Sequence, residues 1–145
     1  MPVRAGATVL QGGRAKAYRP IPADARRAAL EKAIAAYSRG DFFEAHEILE
    51  PAWMGTDDIP ERELYQGLIK LAAAFVHAVR GNPRGIARNL TGARERLAAA
   101  AAADSPTAGR LDLPALLAAI DERLAALAAR PSDSAIQPPV LRRTR

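Results

Sequence analysis

Leu64-Tyr65-Gln66-Gly67-Leu68-Ile69-Lys70-Leu71-Ala72-Ala73-Ala74-Phe75-Val76-His77 is the stretch that decides the fold. It lies inside a helix expected from about Glu61 to Arg80, on which Leu64, Tyr65, Leu68, Leu71, Ala72, Phe75, Val76 and Val79 form a broad apolar arc. Opposite runs a narrow stripe of Gln66, Lys70, Ala73 and His77, spaced i, i+4, i+7 and i+11.

Working outward, helix punctuation is regular. Asp24 suits an N-cap for a helix through Tyr37 that stops near Gly40, and Asp41 caps the next. Pro51 lacks a backbone donor and clashes with the Glu47 carbonyl, so that helix should kink or end there, with a loop from Gly55 to Pro60. Beyond the decisive stretch, Gly81 ends one helix, Asn82 caps another, and Pro83 fits its first position. That helix extends to about Ala103. A last one begins at Asp112, with Leu113, Leu116, Leu117, Ile120, Leu124 and Leu127 on one face. No strand pattern competes. The expected fold is all-α: a single-domain antiparallel helical bundle of about five helices over residues 23–130.

Composition agrees. Alanine and leucine dominate while β-branched and aromatic residues are scarce, a bias toward helix. The absence of cysteine excludes disulfides and thiolate metal sites. The first twenty residues hold no continuous apolar run, and no stretch approaches a membrane span, so a cytoplasmic protein with no membrane partner is expected. The net charge of +5 sits in the tails: residues 1–22 carry +4 and 131–145 carry +2, leaving the part between them at −1. Both tails are rich in Gly, Pro and Ser and read as disordered. Without interleaved aromatics or a recognised motif, their basicity does not argue for specific nucleic-acid binding.

Chemistry concentrates in Glu44-Ala45-His46-Glu47-Ile48-Leu49-Glu50-Pro51-Ala52-Trp53. On a helix, His46, Glu50 and Trp53 share one stripe flanked by Phe42, Phe43 and Leu49, with Glu47 at its edge and Glu44 nearly opposite. Charge is polarised as well. Asp41 to Glu63 holds eight acids against Arg62 alone, whereas Arg80, Arg84, Arg88, Arg94 and Arg96 face only Glu95. Either these helices neutralise one another, or Arg80, Arg84 and Arg88 form an anion-binding edge for a phosphate or carboxylate.

Together, Gly40-Asp41-Phe42-Phe43-Glu44-Ala45-His46-Glu47-Ile48-Leu49-Glu50 with Trp53, then Tyr65-Gln66-Gly67-Leu68-Ile69-Lys70-Leu71-Ala72, His77, Arg80-Gly81-Asn82 and Gly85, resemble the signature of domain of unknown function family 309. The resemblance covers roughly residues 25–128. It implies a small all-helical bundle, and members are sometimes labelled predicted metal-dependent hydrolases. Glu44, His46, Glu47, Glu50, Trp53, Gln66, His77 and Asn82 match the signature.

His46-Glu47-x-x-Glu50 is similar to the zinc-protease helix motif, with a carboxylate as the second ligand. On that reading His46, Glu50 and His77 hold Zn²⁺, Mn²⁺ or Fe²⁺, and Glu47 is the general base. Glu44, Trp53, Gln66, Lys70, Asn82 and Arg84 are the supporting or substrate-binding set. Lys70 opposes a cation between Gln66 and His77. The spacing of Glu44, Glu47 and Glu50 also suggests a helical Mg²⁺ pyrophosphatase, but the partner helix offers Gln66, Lys70 and His77 instead of acids. Two non-catalytic readings stand beside these. His46, Glu50, Gln66, Lys70 and His77 can form a closed hydrogen-bonded network, or the bundle can serve as an interaction or small-ligand module. In the interaction case a homodimer would form through the apolar face of the last helix, unless that face completes the monomer core.

Overall fold

The computed structural model describes residues 8–11, 14–103, 106–132 and 135–144. Five helices follow in order: α1 (Ala23–Ser38), α2 (Phe42–Met54), α3 (Ile59–Val79), α4 (Pro83–Ala102) and α5 (Leu113–Ala129). The all-α bundle expected from the helical periodicity is present. Each helix packs mainly on the next in the chain, so α3 is enclosed by α2 on one side and α4 on the other. This explains the breadth of its apolar arc. Leu64, Tyr65, Leu71, Ala74 and Phe75 of α3 are all buried. Facing them, α4 buries Ile86, Leu90, Ala93, Leu97 and Ala100 at alternating steps of four and three, the spacing of one helix stripe laid along another. The helices approach closely at Gly67, where a Cβ would meet Leu97 Cγ at 2.7 Å.

Two of the connections are the same turn used twice. After α1, Gly40 adopts φ +89°, its N–H donates to Tyr37 O, and the Asp41 N–H donates to Ala36 O. After α3, Gly81 adopts φ +67°, its N–H donates to Ala78 O, and the Asn82 N–H donates to His77 O. This left-handed C-terminal cap favours glycine and turns the chain directly into the next helix. The side chains of Asp58, Asn82 and Asp112 accept from the N–H three residues on, capping α3, α4 and α5. The other two expected caps differ. Pro22 holds the cap position of α1, with Asp24 in the first turn. Asp41 precedes α2, but its carboxylate pairs with Arg39.

Pro51 does not end α2, which continues to Met54. The turns past Pro51 are held from outside: the Arg19 and Ile21 N–H groups donate to the Met54 and Gly55 carbonyls. Two further differences lie at the ends of the chain. A short antiparallel hairpin pairs β1 (Thr8–Gln11) with β2 (Arg14–Ala17), strands of four residues each, too short to stand out as a periodicity. Residues 1–7 of the expected disordered tail lie outside the described residues. At the other end, residues 135–144 touch the bundle at a few points, although most of their side chains are exposed. Pro139 is buried, and its carbonyl accepts from Tyr37 Oη at 2.7 Å. Asp112 N–H donates to Arg142 O, Thr144 N–H donates to Arg110 O, and Arg143 pairs with Glu31. This strap buries Pro139 and partly covers Ile136 and Leu141 without any helical period, so helix patterns in the sequence do not report it.

In α5, Leu113, Leu116 and Ile120 are buried and Leu117 and Leu124 pack at the core edge, so this face completes the bundle. Among the described residues no helix is long and apolar enough to cross a membrane.

The tight approach at Gly67 gives a direct test. Gly67→Ala should lower unfolding stability by about 1–3 kcal/mol, because buried Leu97 must move to admit a methyl group. Chemical denaturation at constant m-value checks this.

Candidate metal centre and adjoining groove

The first turns of α2 present Phe43 and His46 on neighbouring positions of one face. Their rings stack, with centroids 6.3 Å apart and planes 17° from parallel. Phe42 turns inward between Tyr37 and Phe75. Farther along α2, Leu49 and Trp53 are buried, whereas Glu50 is half-buried. The aromatic setting expected around His46 is therefore one-sided: Phe43 on one flank, an opening on the other.

His46, Glu47 and Glu50 each offer one ligand atom, and these atoms lie within 4.8 Å of one another. His46 Nδ1 is buried and makes no hydrogen bond, although Glu47 Oε1 lies 3.5 Å away. Metal–ligand bonds of about 2.1 Å set donor separations of roughly 3.4 Å in a tetrahedral site and up to about 4.2 Å across an octahedral one. The 4.8 Å limit on the cluster is somewhat wider, and of its two carboxylates Glu47 is exposed and Glu50 half-buried. All three groups come from a single helix, which leaves the outer side of the cluster open to water or substrate.

His77 does not join this group, contrary to its expected role as third ligand. Its ring lines a cavity of about 140 Å³ together with His46, Phe43 and Arg80, so α2 and α3 do bring the two histidines to one space. Its chemistry there differs. Asn82 Oδ1 accepts from the Gly85 N–H, which assigns Nδ2 as the donor to His77 Nδ1 at 3.2 Å. A ring that accepts at Nδ1 carries its proton on Nε2. His77 thus offers its cavity a donor in place of the lone pair a metal requires. Gly85 is part of the same arrangement, since a Cβ there would overlap the His77 ring.

The supporting residues separate. Glu44 pairs with Arg39 at 2.7 Å on the outer surface. Lys70, whose ammonium would oppose a cation beside Gln66, lies across Gly92 of α4, where a Cβ would meet Lys70 Cδ at 2.8 Å. Gln66 is buried with Oε1 lacking a hydrogen bond. Trp53 is buried with the Arg62 guanidinium 5.7 Å from its ring centroid. Arg84 lines a different hollow, against Leu124 and Leu127 of α5, and is not part of this centre. The neutralisation expected between the acidic and basic stretches occurs at Arg96–Glu63, 3.2 Å apart. Arg94 instead reaches Asp121 of α5. Arg80, Arg84 and Arg88 make no ion pair among the described residues.

Sequence reading missed the most deeply buried charges. Arg26 Nε donates to Glu61 Oε1 at 2.6 Å, Tyr65 Oη donates to the same oxygen at 2.7 Å, and Thr56 Oγ1 donates to Oε2 at 3.2 Å. Arg62, fully buried, donates from Nη1 to the Thr56 carbonyl, while Nε and Nη2 have no hydrogen-bond partner. Burial lowers the Arg62 pKa, partly opposed by Asp57. The hydrogen bond to Glu61 raises that of Arg26. Arg26 and Glu61 are 35 residues apart, and nothing local in the sequence couples them.

With that geometry in place, the chain can be set beside known proteins. Residues 30–89 match the family described as a domain of unknown function (DUF309). The DUF309 match runs from α1 into α4 and contains His46, Glu47, Glu50, Trp53, Gln66, His77 and Asn82. It is shorter than the resemblance expected over 25–128. An uncharacterised protein of Aquifex aeolicus (strain VF5) is 40% identical over 55 residues, which are 38% of this chain and 16% of that protein. The chain thus covers about a sixth of that relative's length. No solved structure matches.

The tyrosine hydroxyls at the core give a pH test. Burial raises both Tyr37 and Tyr65 above the ordinary 10.0, and for Tyr65 the bond to Glu61 adds to it. Unfolded tyrosines ionise near 10.0 while the folded ones stay neutral, so their contribution is complete below pH 10 and is lost as pH rises beyond it. Stability should fall by about 1.4 kcal/mol per pH unit for each tyrosine above pH 10. Urea melts at stepped pH should show this slope roughly halved in Tyr65→Phe.

Proposed function

We propose that His46 and Glu50 hold a divalent cation on α2 and that the protein is a metal-dependent hydrolase, with Glu47 as its general base. The observation that carries this reading is the buried, hydrogen-bond-free Nδ1 of His46, flanked by two carboxylates whose donor atoms lie within 4.8 Å. One imidazole with carboxylates suits Mn²⁺, Fe²⁺ or Zn²⁺. Such an ion supplies Lewis-acid activation of water and of a carbonyl or phosphoryl oxygen.

The protein's own residues provide the rest. Phe43 stacks on His46 and limits its rotation. Glu47, largely solvent-exposed, can accept a proton from water and pass it to bulk solvent. His77, with its proton on Nε2, can donate to an oxygen of a substrate lying between α2 and α3. A closed structural network is the less favoured alternative, because two of its five members, His46 and Gln66, each bury a polar atom without a hydrogen bond.

Metal content and thermal melts of tag-free protein test the proposal. Mn²⁺ or Zn²⁺ at a hundred times Kd should raise stability by about 2.7 kcal/mol, EDTA should remove the gain, and His46→Ala or Glu50→Gln should abolish it. Glu47→Gln should keep the metal but lose at least about a hundredfold in kcat on whichever ester or phosphoester is turned over. Melts indifferent to every ion would end the metal reading.

A further inference from the structure

Between the first turn of α2 and the last turns of α3 an open groove of about 440 Å³ adjoins the 140 Å³ cavity of the two histidines. The two spaces share Phe43, Val76 and Arg80. Volumes of this size accept a small organic molecule. Phe43 is 62% exposed and Val79 80% exposed at the rim, large apolar side chains that the core leaves in water. Two acids also border the groove, Asp41 and Glu44, and both are already paired with Arg39, at 2.6 and 2.7 Å. Among the described residues Arg80 makes no ion pair. Its five N–H groups suit an anionic oxygen cluster.

His77 adds a second donor of fixed sense. Asn82 occupies Nδ1, and the ring is seated against Gly85, so Nε2–H is the polar group left to the cavity that the ring lines. The groove thus combines aromatic and aliphatic walls with two donors at one end and, at the other, two acids that share Arg39. We infer that it binds an organic anion: a carboxylate or phosphate on an apolar ring, with the anionic group at Arg80 and His77 and the ring against Phe43 and Val76. Binding there requires no metal, so the inference stands independently of the proposed catalytic centre.

The test uses the full chain in EDTA, titrated with benzoate, phenyl phosphate and neutral benzamide while backbone amide NMR shifts are followed. Benzoate, phenyl phosphate or both should saturate with Kd on the order of 1 mM, shifting residues 43, 77 and 80, and the stronger of the two identifies the preferred anionic group. Benzamide should bind at least tenfold more weakly. Arg80→Gln should weaken the anions at least tenfold without altering Tm, while Arg88→Gln, on the exposed side of α4, should leave them unchanged. Phe43→Ala should weaken all three. Equal binding of benzamide, an unchanged Arg80→Gln, or the absence of shifts in the groove would each overturn the inference.

Discussion

The molecule depends on enclosing the first turn of α3. Ile59-Pro60-Glu61-Arg62-Glu63 begins a helix covered by α2 and α4, and its three charged residues are all buried. A charge removed from water is costly unless it is paired or hydrogen-bonded. The surrounding elements answer this from three directions. Arg26 of α1, Thr56 of the preceding loop and Tyr65 one turn on converge on Glu61, and Arg96 of α4 meets Glu63. Arg62 receives the Thr56 carbonyl and the face of Trp53. These contacts set how α1, α2 and α4 sit on α3.

At the other end of α3 the constraint is conformational. The repeated glycine-and-Asx turn after α1 and α3 brings Asp41 and Asn82 to the start of the next helix by the same backbone path. The two side chains then diverge. Asp41 turns to Arg39, and Asn82, also exposed, turns back to cap α4 and hold His77. A single atom type separates them: an amide can accept from Gly85 and donate to an imidazole at once, whereas a carboxylate can only accept. His77 therefore meets the groove as a donor, while His46, one helix away, keeps Nδ1 without a hydrogen bond and 3.5 Å from Glu47 Oε1. The two histidines of the chain share one cavity and carry opposite chemistry.

Much of this was legible in one dimension. The i, i+3, i+4 spacing of apolar residues located all five helices, and Gly40, Gly81, Asn82, Pro83 and Asp112 marked their ends, because caps and left-handed turns are local. His46, Glu47 and Glu50 could be grouped since one helical turn joins them. His77 could be assigned to the same region but not to a role, because its tautomer is set by Asn82 and Gly85 across a turn. In the sequence Arg62 stands only as the single base among eight acids. Only the packing of two helices over it makes it a buried one.

By itself, the sequence determined the helical class, the number of helices and the cluster on α2, since each arises from interactions spanning at most a turn or two of chain; α3 begins at Ile59, inside the loop expected from Gly55 to Pro60. Tertiary structure decided the rest: which charges are buried, which arginine lines the groove, and that the C-terminal strap packs on Tyr37. Those outcomes rest on contacts such as Glu63–Arg96, Arg26–Glu61 and Tyr37–Pro139, 33, 35 and 102 positions apart, whose energies depend on desolvation and geometry that no local pattern encodes.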